Sequence, residues 1–304
     1  MNKNNPLDKF NKITIIGAGI TGKALVDFLA QKEVKVFVTD EKLLSSETKK
    51  KFQDKGIRFE EGGHSRRAID SDLIVTSPGV SPKHDLVREA QKNGVPTIGE
   101  IELASRLSRT DRIIAVTGTN GKTTTVELIR EILRYNGIRA ISCGNNGLPF
   151  ISAVPNLTTT DVAVVEVSSY QLQTIESFKP KVAVLTNLKP DHLSRHGSFK
   201  KYQRIKLGIF DNQTETDYAV INKELEFEIP NEKPIKVEFG PEEARETNLL
   251  RHQKENLGAA ITAANCLLGE KELCKPPGKI IKRGFELPHR LESVAILDEV
   301  EFVN

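Results

Sequence analysis

Ile113-Ile114-Ala115-Val116-Thr117-Gly118-Thr119-Asn120-Gly121-Lys122-Thr123-Thr124-Thr125 decides the fold. Its apolar start reads as a buried strand. The helix after Thr123 carries Val126, Ile129 and Leu133 at helical spacing, and Gly137 fits its C-terminal cap. Between strand and helix lies a compact phosphate loop. Its backbone N–H groups would cradle the β- and γ-phosphates of a nucleotide, Lys122 would supply a point charge, and the Thr123 hydroxyl would reach Mg²⁺. Only two residues separate its glycines, so it departs from the general G-x4-G-K-[ST] spacing. A solvated lysine after a glycine turn would leave the strand, the helix and three consecutive threonines unexplained.

A second phosphate signal stands upstream. Ile13–Ile16 reads as a buried parallel strand, and Gly17-Ala18-Gly19-Ile20-Thr21-Gly22 opens the helix after it. The glycines allow a tight turn, and the helix N-terminus favours a diphosphate. The next strand, Val34–Val38, ends at Thr39-Asp40, where an acidic residue meets a ribose or base edge. A glycine turn used only for packing is the plainer alternative. The motif alone leaves open whether the diphosphate belongs to NAD or to a UDP-sugar. A chain with both loops is expected to hold two phosphorylated ligands at once.

The 304 residues suggest two domains. The formal net charge of +3, from 44 Lys and Arg against 41 Asp and Glu, gives no argument for nucleic acid. Cys143, Cys266 and Cys274 lack metal spacing and make a poor disulfide framework, which fits the cytoplasm. No apolar run approaches the ~20 residues that span a membrane. A monomer without nucleic-acid or membrane partners is expected.

Strands and helices alternate along most of the chain, as in α/β architecture with mainly parallel sheets. The expected arrangement is a Rossmann-like domain over residues 1–109, a nucleotide-binding α/β domain over 110–295, and a short stub of a further strand over 296–304. Ligands gather beyond the carboxyl ends of such strands. Val162–Val167 is an apolar run broken by Glu166. A buried, unpaired carboxylate is costly, so Glu166 needs a partner, and Mg²⁺ or a salt bridge would serve. Asp191-His192 follows another strand, and a neutral imidazole there can ligate metal. Lys206 shares a helical stripe with Tyr202, Ile209 and Phe210. Partial desolvation lowers its pKa, and a neutral amine reacts with CO₂ to give a carbamate. A snorkelling lysine is the alternative.

Taken in order, Thr117–Thr124, Gly144-Asn145-Asn146-Gly147, Glu166–Leu172, Asn187 with Asp191-His192-Leu193, Tyr202-x3-Lys206 and Leu287-Pro288-His289-Arg290 resemble the Mur ligases. The glycine spacing of the nucleotide loop fits that ATP-using family. Within it the residues are most similar to the branch that adds D-glutamate to UDP-N-acetylmuramoyl-L-alanine in peptidoglycan precursor synthesis. The resemblance implies that Gly19, Ile20, Thr21, Thr39, Asp40 and Ser77 hold the uracil and diphosphate. It implies that Asn145, Ser168 and Gln171 face the muramoyl end. ATP would lie on Gly118, Thr119, Asn120, Gly121, Lys122, Thr123 and Thr124, with Asn256 at the adenine and Arg290 at the phosphates. Thr123, Glu166, His192 and a carbamate on Lys206 would arrange Mg²⁺; Lys122, Glu166, His192 and Lys206 would carry catalysis.

Two features depart from the family pattern. Glu255-Asn256-Leu257-Gly258-Ala259 replaces the usual His-Asn-x-x-Asn near adenine. Family members also continue past the position of Asn304 into a third α/β domain that binds D-glutamate and closes over ATP. The expectation is therefore a chain that binds its substrates without completing ligation. An NAD-dependent oxidoreductase and a non-catalytic UDP-sugar and ATP binder are the alternatives from other classes.

Overall fold

The computed structural model describes residues 6–225, 228–245, 247–269, 278, 281, 293–297 and 300–303. They form two compact units. The first takes Met1–Arg109, Gly147–Asn156 and Ser169–Phe178; the second takes Thr110–Asn146, Leu157–Ser168 and Lys179–Asn304. The sequence reading gave the first domain residues 1–109 alone; two later segments, 147–156 and 169–178, also cluster with it.

In the first unit, β1 (Lys12–Ile16), β2 (Lys35–Asp40), β3 (Arg58–Glu61), β4 (Leu73–Thr76) and β5 (Thr97–Gly99) pair in parallel in the order β3-β2-β1-β4-β5. The β1 and β4 strands read as near-continuous apolar runs because both faces are buried. Helices α1 (Ile20–Leu29), α2 (Ser46–Asp54), α3 (Asp85–Lys92) and α4 (Glu100–Leu107) complete the unit. The strand order reverses between β1 and β4, so the crevice beyond their carboxyl ends is the natural ligand edge.

Two buried carboxylates hold the returning segments. Glu102 is fully buried and accepts the backbone N–H groups of Glu176, Ser177 and Phe178, the Ser177 hydroxyl, and the Arg106 guanidinium. Burial alone would raise its pKa; the bonds from Ser177, Glu176 and Arg106 hold it below the ordinary carboxylate value. Glu100 accepts from Ile151 N at 2.7 Å with one oxygen, while its other oxygen is buried without a partner among the described residues. Burial pushes Glu100 up to about 7, against the opposing bonds from the Ile151 and Phe150 N–H groups.

In the second unit, β6 (Ile113–Thr117) is buried along its whole length at the middle of a parallel sheet. Helix α5 (Lys122–Tyr135) follows it, then β7 (Ala140–Gly144). The chain visits the first unit through α6 (Phe150–Ala153) and returns to β8 (Val162–Glu166), β9 (Val182–Leu185), α7 (Leu193–His196), α8 (Phe199–Leu207), β10 (Tyr218–Asn222), β11 (Ile235–Phe239) and α9 (Arg251–Leu268). The sheet order is β11-β10-β9-β6-β8-β7. Helix α5 buries Val126, Leu128, Ile129, Ile132 and Leu133, each of which contributes roughly 1.5–3 kcal/mol by leaving water. It ends where Ile138 N reaches back to Leu133 O across Gly137, at φ +75°. Strands β12 (Ser293–Leu297) and β13 (Val300–Val303) form an antiparallel pair that crosses the expected 295/296 boundary.

Candidate functional site

Each unit builds one loop at the carboxyl end of a central strand. In the first, Gly17 N donates to Thr39 O at 2.9 Å and the Ser77 hydroxyl donates to Gly17 O at 3.0 Å. Asp40 accepts from Ala18 N at 2.6 Å and from Lys42 N at 2.8 Å. The carboxylate thus braces the glycine loop itself, a role the sequence did not suggest. A Cβ at Gly22 would stand 1.8 Å from Gly17 O, so only glycine lets the helix approach the loop. Gly19 and Ile20 open α1 without a side-chain cap, and Ile20 is 77% exposed. The first-turn N–H groups are left for water or an anion.

The second loop is held more tightly. Asn187 accepts from Asn120 N and donates to Asn120 O, at 2.9 and 3.0 Å, and Thr186 donates to Asn120 O at 2.7 Å. Thr119 contacts the Tyr202 hydroxyl at 3.1 Å. Gly121 starts α5 in the left-handed region at φ +82°, and a Cβ there would meet Asn256 Oδ1 at 2.2 Å. Asn256, on the far helix α9, therefore leans on the loop. Lys122 folds over it and donates to Gly118 O at 3.1 Å and Thr119 O at 2.7 Å.

Strand register brings Glu166 beside this loop: it pairs with Val116 on one side and Gly144 on the other. One carboxylate oxygen accepts from the Thr123 hydroxyl at 2.7 Å and the other from Asn145 Nδ2 at 2.9 Å. Asn146 reaches the same Thr123 hydroxyl at 3.3 Å. Glu166 is 3% exposed, and the Thr123 and Asn145 donors on its two oxygens are neutral. A buried carboxylate beside a phosphate loop suits a hard cation.

Lys206 is buried, as its apolar stripe suggested. Its Nζ donates to Gly118 O at 2.7 Å and Thr117 Oγ1 at 3.1 Å and lies over the Tyr202 ring. Burial first, and Lys122 second, lower its pKa to about 7, while Glu166 and Asp191 oppose them. His192 sits half-exposed at a positive φ of 50°, with its Nε2 3.5 Å from Asp191 Oδ2. Among the described residues no three His, Cys, Asp or Glu side chains cluster as a ready metal site. Any cation here would also need hydroxyl, phosphate or carbamate oxygens. Ser168 follows β8 in the second unit, whereas Gln171 belongs to the first. Arg290 lies outside the described residues. Asn146, Thr186, Asn187 and Tyr202 support the loop without having been singled out for it; Asn187 could have been, as the first polar side chain after the β9–Thr186 strand end.

The match to the Mur ligase middle domain spans residues 116–272, just over half of the chain. The chain belongs to the Mur ligase family. The MurD N-terminal domain matches residues 12–86. The UDP-N-acetylmuramoylalanine–D-glutamate ligase of Koribacter versatilis (strain Ellin345) is 42% identical over 221 residues, covering 71% of this chain and 48% of that protein. The enzyme of the same name from Alkaliphilus metalliredigens (strain QYMF) is 42% identical over 219 residues, covering 70% and 48%. The chain spans about half the length of these curated relatives. Solved structures of the family share the fold. The UDP-N-acetylmuramate:L-alanyl-gamma-D-glutamyl-meso-diaminopimelate ligase from Neisseria meningitides has a TM-score of 0.56 at 20% identity, covering 88% of this chain and 99% of that one. A murein peptide ligase from Psychrobacter arcticus 273-4 has a TM-score of 0.55 at 16% identity, covering 96% and 72%.

Proposed function

We propose that this chain carries the substrate-binding and nucleotide-binding units of an ATP-dependent ligase that joins D-glutamate to UDP-N-acetylmuramoyl-L-alanine. The observation that carries the reading is the convergence on one loop of Lys122, buried Lys206, and the Glu166–Thr123 pair. An oxidoreductase needs none of these. The names of the relatives at about 40% identity support the amino acid and the sugar nucleotide.

In this reading the loop N–H groups and Lys122 hold the ATP phosphates, and Asn256 stands at the loop's helix end. The substrate carboxylate attacks the γ-phosphate, which gives an acyl phosphate and ADP. The amine of D-glutamate then attacks the acyl carbon and phosphate leaves. Catalysis is mostly positioning and charge neutralisation. Thr123, Glu166, His192 and a carbamate on Lys206 would hold Mg²⁺, which would offset phosphate charge. Near neutral pH much of Lys206 is the unprotonated amine that CO₂ requires. In the first unit the Gly17–Gly22 loop, braced by Asp40 and Ser77, holds the diphosphate of the uridine substrate. Asn145, Ser168 and Gln171 face the muramoyl end.

Calorimetric titration of the chain with Mg²⁺–ATP and, separately, with UDP-N-acetylmuramoyl-L-alanine tests the reading. Saturable binding of both is expected, with NAD competing for neither. Binding of neither ligand overturns it.

A further inference from the structure

Strands β1, β2 and β3 each open on a cation: Lys12, Lys35 and Arg58. Their amino ends lie at the opposite edge of the sheet from the Gly17–Gly22 loop. Lys12 stands directly opposite Lys35 in the parallel register, and Arg58 stands opposite Phe37, two residues on from Lys35. Partners in register project from the same face, as do residues two apart on one strand. The three cations therefore share a face. Like charges directly opposite each other destabilise a sheet, so the fold alone gives no reason for the cluster.

A groove of about 1010 Å³ opens at these strand starts. Its charged lining is Lys12, Lys35, Lys55, Arg58 and Arg67 against a single carboxylate, Asp70. Two of the cations are used within the fold. Lys12 donates to Asp70 at 3.0 Å and to Arg67 O at 3.5 Å, with its Nζ 5.8 Å from the centre of the Phe37 ring. Lys55 pairs with Asp27 at 3.4 Å just past the end of α2. Lys35, Arg58 and Arg67 are exposed, and among the described residues none of them has a carboxylate within ion-pair distance. The wall that carries Arg67 is clamped to β1. The Ser71 hydroxyl donates to Lys12 O at 3.0 Å, Asp72 accepts from Asn11 N and Lys12 N at 2.7 and 3.0 Å, and Ala68 is fully buried.

Helices α1 and α2 end on this side, and helix C-termini repel anions, so any attraction for an anion comes from side chains. Two of the three unpaired groups are guanidiniums, whose planar forks match phosphate oxygens in pairs. Neighbouring strands lie about 4.8 Å apart, so the cations spread over roughly 10 Å from β1 to β3. That is wider than one phosphate and matches a row of linked phosphates. We propose that this groove binds a linear oligophosphate, free or carried by a nucleoside, at a site separate from both glycine loops. Lys35, Arg58 and Arg67 contact the phosphate oxygens. Lys12, neutralised by Asp70, holds the wall in place. The site stands whatever ligand the Gly17–Gly22 loop takes.

The test titrates tripolyphosphate calorimetrically into the chain with ADP, UDP and excess Mg²⁺ at saturating levels, so that both glycine loops are filled. One saturable event is expected, and it should weaken as salt rises. Lys35→Gln, Arg58→Gln and Arg67→Gln should each weaken it by about threefold to fivefold, and the triple variant should lose it. All three side chains lie outside the core, so ADP and UDP should bind the triple variant as they bind wild type. Replacing tripolyphosphate with GTP, and reading only the signal that the triple variant loses, identifies the source. Equal affinities assign a free phosphate chain; GTP tighter by about tenfold assigns a nucleoside-borne one. The proposal is overturned if wild type shows no tripolyphosphate binding, or if the triple variant retains it. It is also overturned if a polyglutamate peptide or a DNA duplex binds wild type as tightly as tripolyphosphate does, because the groove would then be a general cationic face.

Discussion

The two loops share one plan, strand to glycine turn to helix N-terminus, and differ in charge. The Gly17–Gly22 loop is braced by a carboxylate and a hydroxyl, and among the described residues no lysine or arginine side chain is seen bonding to it. The Gly118–Thr124 loop carries two lysines on its carbonyls and a buried carboxylate behind it. Backbone N–H groups alone suffice to hold an anion in place. Moving a phosphoryl group also requires fixed cations and a place for a metal. The difference separates a loop that holds from a loop that reacts.

Removal of the cation is the hardest blow to the second loop. Lys122→Ala should weaken ATP binding by roughly 100-fold, since charge-assisted phosphate contacts are worth about 1.5–3 kcal/mol. UDP affinity should stay unchanged, and equal losses at both loops would erase the contrast. Close packing is the weak point of the first loop. Gly22→Ala drives a methyl onto a backbone carbonyl and should weaken UDP binding by about tenfold while ATP titrates as before. Chemistry at Lys206 sharpens the comparison further. With ¹³C-bicarbonate at pH 8, a carbamate resonance should grow in the wild type and be absent from Lys206→Ala. A variant that retains the signal would place the modified lysine elsewhere. Glu100→Gln should leave both binding constants alone and show only in stability. The folded-state pKa is raised to about 7, so the wild type is most stable below its ordinary pKa and loses stability as pH rises toward 7. The variant should melt close to the wild-type temperature near pH 4.5 and be more stable by roughly 3 kcal/mol at pH 8. An advantage independent of pH would show that Glu100 is not protonated in the fold.

Much of this was legible in the sequence. The strands of both sheet centres stood out as apolar runs, because parallel strands are buried on both faces. Burial of Lys206 followed from its stripe with Tyr202, Ile209 and Phe210, all buried here. Other elements carried no such mark. Strand β3 lies at the sheet edge and reads Arg58-Phe59-Glu60-Glu61, too charged to resemble a core strand. Helix α9 buries a face of Ala259, Ala260, Ala263 and Ala264 and starts after Leu250, so neither a bulky stripe nor a polar cap announces it. The edge-to-face contact of the His64 and His84 rings joins two loops twenty residues apart and was missed for the same reason: its partners are set by topology, and no local period encodes it.

Glu102 has a consequence for anyone dividing the gene. Its carboxylate is matched by backbone donors from residues 176–178, so a fragment that stops at residue 109 would keep the acid and discard its partners. The polypeptide passes between the units five times. A genetic cut at the apparent boundary therefore yields an unfinished product rather than a module, and a workable split must supply residues 147–156 and 169–178 in trans or by linker.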